Sequence, residues 1–570
     1  MNRVLGGFRA VPAWARGAGR RCGRNTGDAT ERLRPREKEG IPKGMFRMLR
    51  SFRRARQPSA TGRAATRAGT ARRPHSRGPL VVESLEPRLT MSANVVVGAE
   101  GGRGSQPLVQ LLDVSTGTVV AETLAFESGF AGGVRVAMGD VDGNGDQEVI
   151  AGSGEGRVAE IRVFDIRVSG GRTTLAELPA YRVQPFGAGY TRGVTVASGD
   201  IDGNGRYDII ASMSRGRGVV NAFLSVAPQA PANDPLQNAP CLSITPAAAG
   251  FDGGSAVAVG DFGTFVAGKL QMPGVPDGKV EIVVASGVDA PPKVEVYDVS
   301  VRSAPRVVTT LHPFSPSVRW GLTVSTGRCS NDAIDDIIVS AGRHAGMKSV
   351  IYDGTPGSST ILGDFTPGGT PARPNAPAYA APVDVNGDGK IDNILVAQGD
   401  PGGVTALFNT RIGNASPATT VKLPNIPGGL RIAAPRTTFK QETLGSGLKQ
   451  QDIILGSGAS PVLKQQILVR YTGFFADGRV FETTGNAVMS LNFGQGVPGF
   501  IQGLATMKEG GVRLLKLPAN LAFGAEGLKK KDADGKPVLG TDGKPVYIIP
   551  PNTPLNYLVE LVTVLPVKPA

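Results

Sequence analysis

The sequence predicts a multidomain, mostly β protein: an all-β propeller of six blades, with seven as the alternative, then an α+β domain built from an antiparallel sheet and one short helix, behind a disordered basic N-terminal tail. Three observations carry this reading. A strand motif recurs about every sixty residues between Asn94 and Pro435. After Pro435 the repeat stops, and two long alternating strands flank a short helical period. The charge is split along the chain: residues 1–93 hold 22 of the 62 Lys and Arg but only 6 of the 48 Asp and Glu, which makes that segment +16 and the remainder −2.

The 570 residues exceed a single core and suggest several folded units. In the tail the arginines lie among Gly, Ala, Ser and Pro with no apolar period and little aromatic interleaving, so it reads as disordered and no nucleic-acid partner is expected. Cys22, Cys241 and Cys329 are scattered, odd in number and without CxxC spacing, so neither a disulfide framework nor a thiolate metal site is indicated. No apolar run of about 18 residues occurs, so no transmembrane span is expected. Near the end of the tail, Leu85-Glu86-Pro87-Arg88-Leu89-Thr90-Met91-Ser92 resembles the Leu-Glu-Pro-Arg sorting signal of large bacterial surface proteins, with Thr90-Met91 in place of Leu-Leu. An ordinary linker is the alternative, and Met45 or Met48 as the start would keep this segment.

The repeat is read from residues 94–435. Gly132-Gly133-Val134-Arg135-Val136-Ala137 is echoed by Gly193 to Ala197, Gly254 to Ala258, Gly321 to Val324, Ala376 to Ala381 and Gly428 to Ala433. Each of the first five leads through a polar loop to a second strand such as Val149-Ile150-Ala151 or Ile209-Ile210-Ala211, then to a hairpin partner. About four strands per period is a propeller blade. Asn94 to Gly98 matches the second strand without a first, and Gly428 to Ala433 matches a first strand without a second, so the two ends are expected to complete one blade and remove the open edge.

Three loops present oxygen ligands at a spacing that suits a hard cation. Asp140, Asp142, Asn144, Asp146 and Glu148 form the first. Asp200, Asp202, Asn204 and Asp208, with the Arg206 carbonyl, form the second. Asp384, Asn386, Asp388 and Asp392, with the Lys390 carbonyl, form the third. Simple Asx turns are the alternative. Two further loops are broken: Asp261 is separated by an insertion from Asp277 and Glu281, and Arg328 stands where the first carboxylate belongs, ahead of Asp332 and Asp336. With this pattern the segment resembles the FG-GAP/VCBS repeats of integrin-α-like propellers. The resemblance implies structural Ca2+ in the loops and a protein or glycan ligand on the ring.

A connector at 436–445 leads to a new domain at 446–570. Ile467, Val469 and Tyr471 alternate with polar neighbours, as do Leu555, Tyr557, Val559 and Leu561, while Phe500, Leu504 and Met507 share a helical face between Pro498 and Gly510-Gly511. Four segments in order, Val469 to Glu482, Val497 to Met507, Leu517 to Gly524 and Ile549 to Leu561, resemble FKBP-type peptidyl-prolyl cis/trans isomerases over nearly the whole of this domain. The resemblance implies a proline pocket formed by Tyr471, Phe481, Glu482, Val497, Phe500, Phe523, Ile549 and Tyr557. Phe500 stands where Trp is usual, Phe523 where a Tyr hydroxyl is usual, Glu482 where Asp is usual, and Met489 and Leu491 where aromatics are common. An insertion between Gly527 and Ile549, containing Lys529-Lys530-Lys531 and two Asp-Gly turns, is expected to extend a loop over the pocket rim.

The function expected is isomerisation of Xaa-Pro bonds in exported or surface polypeptides, without a cofactor, by a secreted or cell-surface protein, with the periplasm as the alternative compartment. The competing expectation is an adhesion or matrix protein carrying an inactive FKBP-like module. No nucleophile or base is needed, and His75, His312 and His344 all lie outside 446–570.

Overall fold

The structure is a computed structural model. It describes residues 94–226, 239–246, 251–266, 268–330, 332–342, 348–365, 377–398, 406–409, 417–419, 430–439, 441–485 and 487–566. The basic leader and its sorting-signal motif at 85–92 lie outside the described residues.

The described residues between 94 and 433 form a ring of four-stranded antiparallel sheets. Five are built from consecutive segments, with inner strands Val134–Gly139, Val194–Gly199, Ser255–Gly260, Leu322–Gly327 and Ala378–Val383; they are blades 1 to 5. A sixth sheet is composite: Leu430–Ala433 pairs antiparallel with Asn94–Ala99, bringing Ile432 opposite Val97, and Leu108–Asp113 and Thr118–Leu124 complete it. The inner strands neighbour one another in turn, and Leu430–Ala433 closes the circle against both Ala378–Val383 and Val134–Gly139. Every flat face is thereby covered by the next sheet, which is why second strands such as Glu148–Ser153 and Asp336–Ala341 are buried along their whole length and carry continuous apolar runs.

The recurring glycine has a conformational cause. Gly133, Gly193, Gly254 and Gly321 precede their inner strands with φ of +80°, +81°, +75° and +78°, a region that side chains disfavour. There the chain enters each blade and meets its neighbour through backbone bridges, Glu100 with Gly133, Glu155 with Arg192, Gly216 with Gly253 and Val288 with Trp320.

The C-terminal domain is a seven-stranded antiparallel sheet. Its path runs Glu442–Thr443, Lys449–Ile454, Val512–Leu517, Leu555–Val564, Gln466–Phe474, Val480–Thr483, and Met489–Asn492 pairs with the start of Gln466–Phe474. The edge strand Glu442–Thr443 falls inside the expected connector, so part of that segment already belongs to the sheet. The helix Pro498–Leu504 packs on Val512–Leu517 through Gly499 and Gly503, where an added Cβ would meet Leu517 and Leu515 side chains at 2.5 and 2.4 Å. The helix ends at Leu504, so Met507, expected on its face, lies beyond it in a turn and is still buried at 2% exposure.

The domain sits on the end of the ring where the acidic loops emerge. Val275 and Ala333 of the propeller join Ile453, Ile454, Phe474, Val512 and Leu514 in one buried apolar cluster. Around it the Leu455 N–H donates to Asp388 O at 2.6 Å, and Arg328 Nη1 donates to Gly389 O at 3.1 Å and to Ile453 O at 3.3 Å.

Candidate functional site

The long strand Gln466–Phe474 and its partner Leu555–Val564 alternate faces, so Tyr471 and Tyr557 project to the same side. The helix N-terminus brings Phe500 onto that side. Tyr471 and Phe500 ring centroids lie 5.6 Å apart, Phe500 and Tyr557 5.2 Å, and Tyr471 and Tyr557 6.0 Å. Phe481, from the strand Val480–Thr483, stands edge-on to Tyr557 at 5.6 Å. These tilted and edge-to-face pairs fix one another's orientation. Tyr471, Phe500, Tyr557 and Ile549 are buried, while Phe481, Glu482, Val497 and Phe523 are half-buried.

Phe475 also belongs to this aromatic group, 5.4 Å from Phe481. Sequence reasoning quoted it within a motif and gave it no role. Its position next to the paired Phe474 at the strand end was the available signal. Val497 is the residue before the helix, in extended conformation, and its N–H has no acceptor among the described residues. The first turn opens with Pro498, which has no N–H, so the Val497 N–H is the donor that stands just ahead of the helix.

Glu482 is the one carboxylate in the group. Burial raises its pKa, and a hydrogen bond from the Tyr471 hydroxyl opposes that rise. Burial, and next the Glu482 charge, push the Tyr471 and Tyr557 phenols well above their usual range. The Tyr471 hydroxyl also reaches the Met489 sulfur at 3.8 Å. The lining is therefore apolar and aromatic, with one N–H and one carboxyl at its edge.

The insertion is an ordered flap. Lys530 N–H donates to Val546 O at 2.8 Å, Val538 N–H to Lys530 O at 2.9 Å and Val546 N–H to Val538 O at 2.8 Å, giving a three-segment meander with turns at Asp532–Lys536 and Gly540–Lys544. It grows from the pairing of Leu528 with Ile549, so it is rooted on a pocket residue, and Lys529, Lys530 and Lys531 are exposed.

The acidic loops divide. Carboxylate oxygens of Asp140, Asp142 and Glu148 lie within 4.8 Å of one another, as do those of Asp200, Asp202 and Asp208. In the first loop Val141 N–H donates to Glu148 Oε2 at 2.8 Å, while Glu148 Oε1 is buried with no partner among the described residues. In the second, Asp208 accepts from Ile201 and Ser225 at 2.8 and 2.9 Å, and Asp200 accepts from Gly203, Asn204 and Gly205. Asn144 and Asn204 each accept a backbone N–H through Oδ1, from Asp146 and Arg206 respectively. Arg206, expected to offer only its carbonyl, also sends its guanidinium across to Asp142 O.

The third expected set, Asp384, Asn386, Asp388 and Asp392, repeats the backbone pattern of the second. Asp384 accepts from the Gly387, Asp388 and Gly389 N–H groups and Asp392 from Val385, as Asp200 and Asp208 do in the second loop, and the amide of Asn386 stands where the first two loops carry Asp142 and Asp202. The loop with Arg328 at its head also assembles three carboxylates, because Asp353, just past the adjoining strand Ser349–Tyr352, joins Asp332 and Asp336. The sequence spacing within one loop could not show a ligand arriving from across the sheet.

A profile of the family described as FKBP-type peptidyl-prolyl cis-trans isomerase matches residues 458–562. The chain is 32% identical over 122 residues to an FK506-binding protein of Neisseria meningitidis serogroup B, covering 21% of this chain and 96% of that protein. It is 33% identical over 134 residues to FK506-binding protein 4 of Dictyostelium discoideum, covering 23% of this chain and 32% of that one. It is 31% identical over 131 residues to the FKBP-type peptidyl-prolyl cis-trans isomerase FkpA of Escherichia coli K12, covering 23% of this chain and 41% of that one. The chain thus spans about a third to two fifths of the latter two relatives. A sheet wrapped on one short helix around an aromatic pocket defines an isomerase-type domain, here joined to a propeller. The chain belongs to the FKBP-type peptidyl-prolyl cis-trans isomerase family through its C-terminal domain.

Proposed function

We propose that this protein isomerises Xaa-Pro bonds of exported or surface polypeptides, with the propeller as a cation-stiffened platform that recruits them. The observation that carries the reading is the convergence of Tyr471, Phe481, Phe500 and Tyr557 on one apolar pocket beside the unpaired Val497 N–H. The planar amide is resonance-stabilised and its rotation barrier is roughly 18–20 kcal/mol. At the twisted transition state that resonance, and its charge separation, is lost. An aromatic, water-poor pocket around the prolyl ring therefore favours the twisted form, and Val497 N–H can hold the substrate carbonyl while the bond turns.

Phe500 and Phe523 supply surface without a hydrogen-bonding tip, so orientation falls to Val497 and Glu482. Every 1.4 kcal/mol gained at the transition state gives about tenfold in rate. Proline-peptide turnover by the full chain tests the reading, and a folded protein without turnover would favour the adhesion alternative.

The first two acidic loops fit a calcium ion by their chemistry: hard oxygen donors, Gly-permitted turns and the unpartnered Glu148 Oε1. Asp140, Asp142, Asn144 and Glu148, and in the next blade Asp200, Asp202, Asn204 and Asp208, would hold it. Bound there, the ion supplies positive charge that locks the turn between inner and second strands. Burial, with the Asp142 charge next, pushes Glu148 up to about 9, and burial pushes Asp208 up to about 7, so both carboxylates gain from a cation. Among the described residues no helix is long and apolar enough to cross a membrane, which fits an exported protein.

A further inference from the structure

The inner strands surround an axial cavity of about 190 Å3. At the loop end it is closed by Arg328, Asp335, Arg436 and Thr437, where the connector to the isomerase domain crosses. The opposite end is framed by one equivalent residue from each sheet: Arg135, Thr195, Ala256, Thr323, Tyr379 and Arg431. All six are half-exposed, although the residue before each is buried. This end is the mouth.

Most of the polar groups at the mouth are already spent. Thr195 Oγ1 donates to Ser255 O at 3.3 Å, and Thr323 Oγ1 to Ala378 O at 2.6 Å, each reaching the next blade. Arg431 forks onto both oxygens of Glu100 and stacks 4.5 Å from the Tyr379 ring centroid. Arg135 is different. Its Nη1 donates to Gly132 O at 2.9 Å, its Nε is buried with no protein acceptor, and it makes no salt bridge among the described residues. One layer deeper, where the strands carry Ala137, Ala197, Ala258, Ala381 and Ala433, the fourth blade carries Ser325, whose buried hydroxyl also has no partner among the described residues.

We propose that this axial cavity binds the carboxylate of a small organic ligand, with Arg135 as its charged anchor and Ser325 as a second donor. Arg431 engages Glu100 on both oxygens, and although Arg135 feels the charges of Glu100 and Glu155 it pairs with neither among the described residues, so its donor edge is left for an anion. The planar guanidinium offers a two-pronged donor edge that matches a carboxylate. The enclosed volume suits a small acid or the last residue of a peptide rather than a folded surface. Burial and then the neighbouring Arg431 charge hold Arg135 down to about 10, against the opposing pull of Glu100 and Glu155. Such a group is retained at a cost in stability, which binding explains and packing does not.

The test uses the full chain at low salt, titrated with succinate, with a tetrapeptide bearing a free C-terminus, and with the same peptide amidated, followed by calorimetry. Saturable binding by succinate would identify a free acid as the source, and binding by the free but not the amidated peptide a chain terminus. Either is expected to weaken by about tenfold or more in Arg135→Met, and by a smaller factor in Ser325→Ala. Arg135→Met without ligand should melt no lower than wild type. If it fails to fold, Arg135→Lys, which keeps the charge but not the fork, should still weaken binding. No saturable binding of any of the three probes, equal binding by the Arg135 variants, or binding of inorganic phosphate but no carboxylate would overturn the proposal.

Discussion

Arg328 of the fourth blade donates from Nη1 to the carbonyl of Ile453, in the first long strand of the isomerase sheet, at 3.3 Å. The same nitrogen reaches Gly389 O at 3.1 Å and Thr437 O at 3.4 Å, and Nε reaches Ala333 O at 3.2 Å. A guanidinium thus stands at the head of a loop whose intact counterparts begin with a carboxylate, and it ties two propeller loops, the connector and the second domain together. Gly389 is needed for the approach, since a Cβ there would lie 2.5 Å from Ile453 O.

Replacing Arg328 by Ala should loosen the junction. Losing charge-assisted bonds to four buried carbonyls is expected to cost about 3 kcal/mol locally. Hydrogen exchange should accelerate at the Leu455 N–H, which donates to Asp388 O, while turnover of short proline peptides stays unchanged. Unchanged exchange at Leu455 would show that the apolar contact of Val275 and Ala333 alone holds the domains.

Calcium should stabilise the propeller. Calorimetry in excess calcium against chelator should show the propeller transition several degrees higher with the ion, since a ligand at about 100 times its Kd adds about 2.7 kcal/mol. Glu148→Gln, which removes a charge but little volume, should lose part of that gain. An identical transition with and without calcium would reduce the loops to Asx turns.

Glu482 sets a pH dependence whose sign follows from its raised pKa. Below the ordinary value of 4.5 the carboxyl is neutral in folded and unfolded chains alike. As pH rises through the higher folded pKa, the unfolded chain ionises more readily, so stability is lost across that window. Wild type should therefore lose stability relative to Glu482→Gln as pH rises above the ordinary value of 4.5, read from calorimetry of the isomerase transition. Parallel pH curves for the two proteins would contradict a buried carboxyl.

Much of the ring was legible because a blade has to repeat. Gly133, Gly193, Gly254 and Gly321 recur where positive φ is required, and Asn94–Ala99 lacked the inner strand that Leu430–Ala433 provides. The pocket aromatics Tyr471, Phe481, Phe500 and Tyr557 were legible through the family resemblance, and the structure brings them together. What the sequence hid are contacts between elements with no common period: Asp353 arriving beside Asp336, Arg328 spanning to Ile453, and Phe475 packing on Phe481. The Asp384 loop was legible in the same way as the Asp200 loop, since both fold their backbone N–H groups onto the leading carboxylate.

The most direct test of the central claim is cis/trans isomerisation of short Xaa-Pro peptides by the full chain, compared with Phe481→Ala and Tyr471→Ala, with folding of each verified by circular dichroism. Acceleration by wild type that falls about tenfold or more in both variants is the predicted result. A folded wild-type protein that leaves the spontaneous rate unchanged, or variants as fast as wild type, would contradict it.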